Sequence, residues 1–259
     1  MIRTRIAVTL LALAAFAGAV FAQSASTKQL KVKSQKEADA IQAMFQAPSP
    51  EARITAAKEL ITKFADTDFK STAFYLAAFS AQQTGDLENV VVYGEQAIEA
   101  DGKNYGAMIL ISSALAQRTR EFDLDREEKL ARAEKMAKDA IELVKIAPKP
   151  NPSITDEQWE GAKKDYTGQA YEGLGMVAMA RKDNVACAAN LQLAVDNAQQ
   201  PDPATLVRLG SCYGKIKKFD EGIAALDRAL NDPEAAPVVK QAATQEKIAQ
   251  LKMKADAAK

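Results

Sequence analysis

Two stretches of this chain align with each other, and that self-similarity limits the fold more than any single residue does. With 170–199 laid over 205–234, Leu174-Gly175 falls on Leu209-Gly210, Leu191 on Leu226 and Ala194 on Ala229. The turn residues Lys182-Asp183 fall on Lys217-Lys218. The period is close to the roughly 34 residues of a helix-pair repeat. A large apolar residue, a small one, a polar turn and a second small residue suit two helices that cross closely, because small side chains let backbones approach. Gly175 and Gly210 are therefore expected at helix crossings, where leucine would overpack and alanine would be much milder.

Local signals extend the helical reading to nearly the whole chain. Ser49-Pro50-Glu51 places an N-cap, a first-turn proline and a first-turn acid in order, and Asp202-Pro203 repeats the cap and proline. Thr155 and Gln158 have the spacing of a capping box. Short turns at Gly85-Asp86, Lys182-Asp183 and Lys217-Lys218 only reverse the chain. No run of β-branched and aromatic residues alternates with polar ones as a strand would. The expected fold is all-α, a right-handed solenoid of antiparallel helix hairpins with a C-terminal capping helix.

These residues resemble the tetratricopeptide repeat (TPR) family. Its pattern reads Leu206, Leu209-Gly210, Tyr213, Phe219, Gly222, Leu226 and Ala229 in the last unit. The unit before it has Tyr171, Leu174-Gly175, Ala178, Cys187, Leu191 and Ala194, and an earlier one has Phe74, Ala77-Ala78, Gly85-Asp86 and Ala97. A divergent unit, 105–146, carries Ala133, Ala137 and Ala140, and 38–65 reads as a degenerate pair. Two insertions interrupt the period: the charged 118–128, and the proline-rich 147–153 followed by the chain's single tryptophan, Trp159. The implied organisation is a signal peptide (1–22), a disordered tether (23–35), N-terminal helix pairs (36–146), an extended helix with two further units (147–236), and a capping helix with tail (237–259).

The resemblance also implies a function, binding a protein or peptide on the concave face lined by the first helix of each pair. The family's spacing carries that face onto Tyr75, Phe79 and Gln82, then Ile109 and Gln117, then Glu172, Met176 and Met179, then Val207, Ser211 and Lys215. Relatives that clamp a terminal carboxylate use paired lysines and asparagines. Here Lys215 stands alone, so that subfunction is not expected.

The N-terminus sets the compartment. Arg3 and Arg5 precede an apolar stretch from Ile6 to Val20, and small residues follow at Ala17, Ala19 and Ala22. That order is a signal peptide, cut after Ala22 or, alternatively, after Ala19. The stretch is shorter than the roughly 20 residues of a spanning helix, and no cysteine adjoins the cut to make a lipoprotein. A periplasmic or secreted protein, not inserted in the membrane after cleavage, is expected. In such a compartment Cys187 and Cys212 can pair; equally, both fit as small buried residues.

The remaining motifs point away from catalysis. Gly173, Gly175 and Ala178 match a dinucleotide fingerprint in letters, but no strand precedes them. Asp123, Asp125, Glu127 and Glu128 lack the glycine and later glutamate of a calcium loop. Without histidine, the common hydrolase triads are unavailable. Basic and acidic residues number 34 each and are interspersed, so there is no basic stripe for nucleic acid. No cofactor is expected. The leading expectation is an exported adaptor, with cell-envelope assembly as a setting. The alternatives are a spacer that oligomerises through its ends and an enzyme whose site the sequence does not reveal.

Overall fold

The computed structural model describes residues 23–257. The expected signal peptide, 1–22, lies outside the described residues. Eleven helices follow one another: α1 Gln35–Phe45, α2 Pro50–Lys63, α3 Lys70–Gln83, α4 Leu87–Ala100, α5 Tyr105–Arg118, α6 Arg126–Ile146, α7 Asp156–Ala180, α8 Asn184–Asn197, α9 Pro203–Lys215, α10 Phe219–Asn231 and α11 Pro237–Ala257. The first ten form five hairpins, and no strand occurs among the described residues. No helix among them is long and apolar enough to cross a membrane.

Helix ends follow from local chemistry. Side chains of Ser34, Ser49, Asp86, Asn104, Thr155, Asp183 and Asp202 each accept a first-turn backbone N–H that would otherwise lack a partner. Thr155 and Gln158 form the full reciprocal box. Three hairpin turns share one geometry. Gly85, Lys182 and Lys217 adopt left-handed φ values of 75°, 64° and 63°. The next residue in each case donates its N–H to a carbonyl five positions back: Asp86 to Ala81, Asp183 to Ala178, and Lys218 to Tyr213. This pattern closes the first helix and points the chain back along it.

Each helix packs on the next, and first helices also pack on first helices, α3 on α5 and α5 on α7. Gly173 and Gly175 sit about 200° apart around α7 at the helical repeat, so they face different neighbours. A Cβ on Gly173 would lie 2.6 Å from Ser112 Oγ on α5, and one on Gly175 would lie 2.5 Å from Leu191 Cδ2 on α8. Both glycines therefore serve close helix packing, not a nucleotide. At the chain's end the fully buried Gln250 of α11 fills the notch between Gly214 and Gly222, and its amide donates to the Gly210 carbonyl at 2.8 Å. The Sγ atoms of Cys187 and Cys212 are bonded, linking α8 to α9 across 25 residues.

One sequence expectation changes, and both insertions take defined places. The tether does not run free, since 23–33 lies as extended chain against the helices, with Gln23 and Ala25 buried and Leu30 and Val32 packed on the core. Its polar composition misled, because most of its contacts are hydrogen bonds to helix ends. The 147–153 connector does not divide the core: Ala137, Ala140 and Ile141 before it pack in one cluster with Trp159, Ala170 and Leu174 after it. The charged insertion is pinned to the α7–α8 turn, where Glu121 pairs with Lys182 and Glu127 with Arg181. Asp123 and Asp125 both face Lys129.

The crossings also revise the expectation for alanine. A Cβ on Gly210 would meet the branch carbon Leu226 Cγ at 2.6 Å and the Gly222 carbonyl oxygen at 3.1 Å. Overpacking of this kind costs about 1–3 kcal/mol, against a helix-propensity gain near ~1 kcal/mol. Gly210→Ala should lower stability in urea unfolding, whereas Gly102→Ala, with open space around it, should not. Equal midpoints for the two variants would show the crossing to be looser than described. Replacing Cys187 and Cys212 together by alanine frees a loop of 25 residues in the unfolded chain, which should cost about 3 kcal/mol. The same unfolding experiment under non-reducing conditions measures it.

Candidate functional site

The first helices of three consecutive hairpins surround one cleft. From α3 come Tyr75, Phe79 and Gln82; from α5, Gly106, Ile109, Leu110 and Ser113; from α7, Tyr166, Gln169 and Glu172. The cleft encloses about 100 Å³. Tyr75 and Phe79, one helical turn apart, stack with ring centroids 6.4 Å apart. Tyr166 meets the buried Tyr105 edge-on at 5.1 Å.

Gln169 and Glu172 also line a second cleft of about 430 Å³, between α7, the α8–α9 loop and the start of α9. The two clefts thus lie side by side along α7 with Gln169 and Glu172 shared between them, and the pair is termed the trough. Glu172 is held in place there, because its carboxylate accepts from Thr205 Oγ1 and from Arg208, each at 2.8 Å. Asp165 accepts both the backbone and side-chain N–H groups of Gln199. Asp202 caps α9.

Burial pushes the Tyr75 and Tyr105 hydroxyls well above the usual phenol range, with the neighbouring Tyr166 adding to the shift. Burial, with Asp165 beside it, pushes Tyr166 up to about 12. All three remain neutral across physiological pH. The first cleft is therefore lined by uncharged aromatic side chains, and carboxylates lie toward α9. Among the described residues no group of three His, Cys, Asp or Glu is placed to hold a metal ion.

The expected groove residues divide. Tyr75, Phe79, Gln82, Ile109 and Glu172 come together in the first cleft. Met176 does not: it is buried in the core cluster that contains Leu110 and Ile111. Met179 and Val207 pack on the cluster around Cys187 and Cys212. For Met176 the reason is the α5–α7 contact at Gly173, which brings the helices together and seals the face beyond it. Gln117 and Lys215 are exposed and Ser211 is half-buried, and none of them lines either cleft. Tyr166 and Gln169 were not expected. The signal for them is a ridge at intervals of three, 166–169–172, along α7.

Comparison with known proteins agrees on shape. A thermophilic TPR protein of Thermus thermophilus superposes with a TM-score of 0.57 and 15% sequence identity, over 82% of this chain and 99% of that one. The assembly chaperone of RpL4 covers 88% of this chain and 100% of its own at 11% identity, but its TM-score of 0.45 carries no argument. No family model matches the chain, and no curated protein matches it. The array of helix hairpins is a TPR-like helical-repeat fold.

Proposed function

We propose that this chain is an exported protein-interaction scaffold that holds a peptide or helix of a partner in the trough along α3, α5 and α7. The observation that carries the reading is the convergence of Tyr75, Phe79, Ile109, Tyr166 and Glu172 from three successive hairpins on one cleft, with a second cleft beside it that shares Glu172. Solenoids present such extended faces to partners. Rigid aromatic rings give contact area at low entropic cost, and the energy of such interfaces concentrates in a few of them.

Binding is favoured over catalysis by the state of the ionisable groups. The phenols stay neutral, and Glu172 is engaged by Arg208 and Thr205. Export is supported by the order of charged, apolar and small residues before Gln23. An exported scaffold would act in the periplasm or outside the cell.

Two substitutions separate surface from core. Phe79 is 37% exposed and Met176 is 8% exposed. Phe79→Glu should leave the thermal melt nearly unchanged, yet weaken partner capture roughly tenfold, the scale of a modest hot spot. Met176→Lys should lower stability by about 3 kcal/mol, because it strands a charge in the core. Circular dichroism melts read beside crosslinking in the native envelope check both. Unchanged capture by a well-folded Phe79→Glu chain would refute the trough as the binding face. For export, the intact mass should begin at Gln23, and Met1 retained on the exported protein would overturn that reading.

A further inference from the structure

Residues 23–33 run alongside the trough. Gln23 rests on Gly106, where a Cβ would come within 2.7 Å of Gln23 Cβ and 2.8 Å of Tyr75 Cε2. Gly106 and Tyr75 both line the first cleft, so Gln23 abuts it. The segment then crosses the helix ends. The Ser24 hydroxyl donates to Asp101 at 2.6 Å, and the Ala25 N–H donates to the Lys103 carbonyl at 3.0 Å. Asp68 receives the Lys28 ammonium at 2.9 Å and the Lys31 N–H at 3.2 Å.

This seat is filled incompletely. The side chains along 24–27 are small (Ser24, Ala25, Ser26, Thr27) and leave a channel of about 520 Å³ against Phe69, Thr72, Asp101, Asn104 and Pro148. The Gln23 carboxamide oxygen is buried without a hydrogen-bond partner, and its amide reaches Thr72 Oγ1 only at 3.5 Å. A site with two carboxylates, a backbone carbonyl acceptor and unfilled volume of mixed polar and apolar lining matches a longer-reaching occupant better than the one it holds.

We infer that this seat beside the trough is a binding site for an extended peptide and that residues 23–33 occupy it in cis, so that a partner segment gains the site by displacing them. The partner chemistry is set by the seat: a cationic side chain for Asp68, main-chain N–H groups for the Lys103 carbonyl, and bulkier side chains where 24–27 leave space. The inference rests on the trough being a binding face and adds a second, occupied site next to it. Release is local, because the segment has no regular hydrogen-bonded structure of its own and can open without the helices unfolding.

The test uses the full chain and a fluorescent peptide with the sequence of residues 23–33. Ala25→Glu with Lys28→Ala alters only the occupant. By fluorescence anisotropy that variant should bind the peptide at least about tenfold more tightly than the unaltered chain, and adding Asp68→Asn should reverse much of the gain. Equal binding by the variant and the unaltered chain, no binding to the variant, or indifference to Asp68→Asn would each overturn the inference. Hydrogen exchange on the unaltered chain gives an independent reading. The Ala25 amide should exchange well before the core amides of α5, and exchange at the same rate would show that the segment opens only with the whole fold. The two proposals separate cleanly. Partner capture that depends on Phe79 but no peptide binding defeats the displacement idea alone, whereas peptide binding without Phe79-dependent capture defeats the scaffold reading alone.

Discussion

The close approach of α7 to its two neighbours organises the rest of the molecule. Gly173 gives way to Ser112 on α5, and Gly175 gives way to Leu191 on α8. One helix is thereby tied both to the hairpin before it and to its own partner. In a solenoid each unit contacts only adjacent units, so stability propagates through such junctions and not through a single central core. Here the junction lies far along α7 from the irregular proline connector, which leads into that helix at Asp156. Because α7 carries core residues on both of these contacts, the connector can vary in course while the helices on either side stay in register. The ion pairs of Arg181 with Glu127 and Glu134 bind the same corner from outside, though exposed pairs of this kind add little by themselves.

The same contact shapes the trough. Where α5 and α7 touch at Gly173 no side chain can reach solvent between them, and Met176 is sealed in. One turn earlier, Glu172, Gln169 and Tyr166 lie beyond the contact and face the cleft. On the far side of α7, α9 stands apart and is bridged by Glu172 with Arg208 and Thr205, leaving the second cleft open. A tight junction on one side of a helix and a polar bridge on the other thus yield a groove of defined length without a dedicated loop or lid.

What was legible in the sequence was what local physics decides. Caps at Ser49, Thr155 and Asp202, the reversal at Gly85-Asp86, and the equivalence of Lys182 with Lys217 each depend on a few neighbouring residues, and each stands in the structure as read. Within the groove, the family's spacing found Tyr75, Phe79 and Glu172 because those helices are regular there. It failed for Met176 and Met179 because their exposure depends on how near the neighbouring helices come, which spacing within one helix does not encode. Tyr166 and Gln169 escaped notice since the repeat aligns only from Ala170, and both lie in the part of α7 that precedes it.

The N-terminal segment shows the limit most clearly, and its chemistry explains why. Its composition is that of a chain that cannot bury enough apolar surface to fold alone. It is ordered instead by groups the helices leave available: the Lys103 carbonyl at a turn, and the carboxylates of Asp68 and Asp101 near helix ends. At its far end, Glu37 is buried and accepts both the Lys33 N–H and the Thr67 hydroxyl, so the segment is hinged where it enters α1. Hydrogen bonds of this sort exchange readily with water and contribute only about 0.5–1.5 kcal/mol each. The segment is buried at both ends, at Gln23 and Ala25 beside the first cleft and at Glu37 where it enters α1, while 27–29 between them is exposed. Its hold on the helices therefore rests on a few exchangeable bonds, and opening it leaves the repeat junctions untouched.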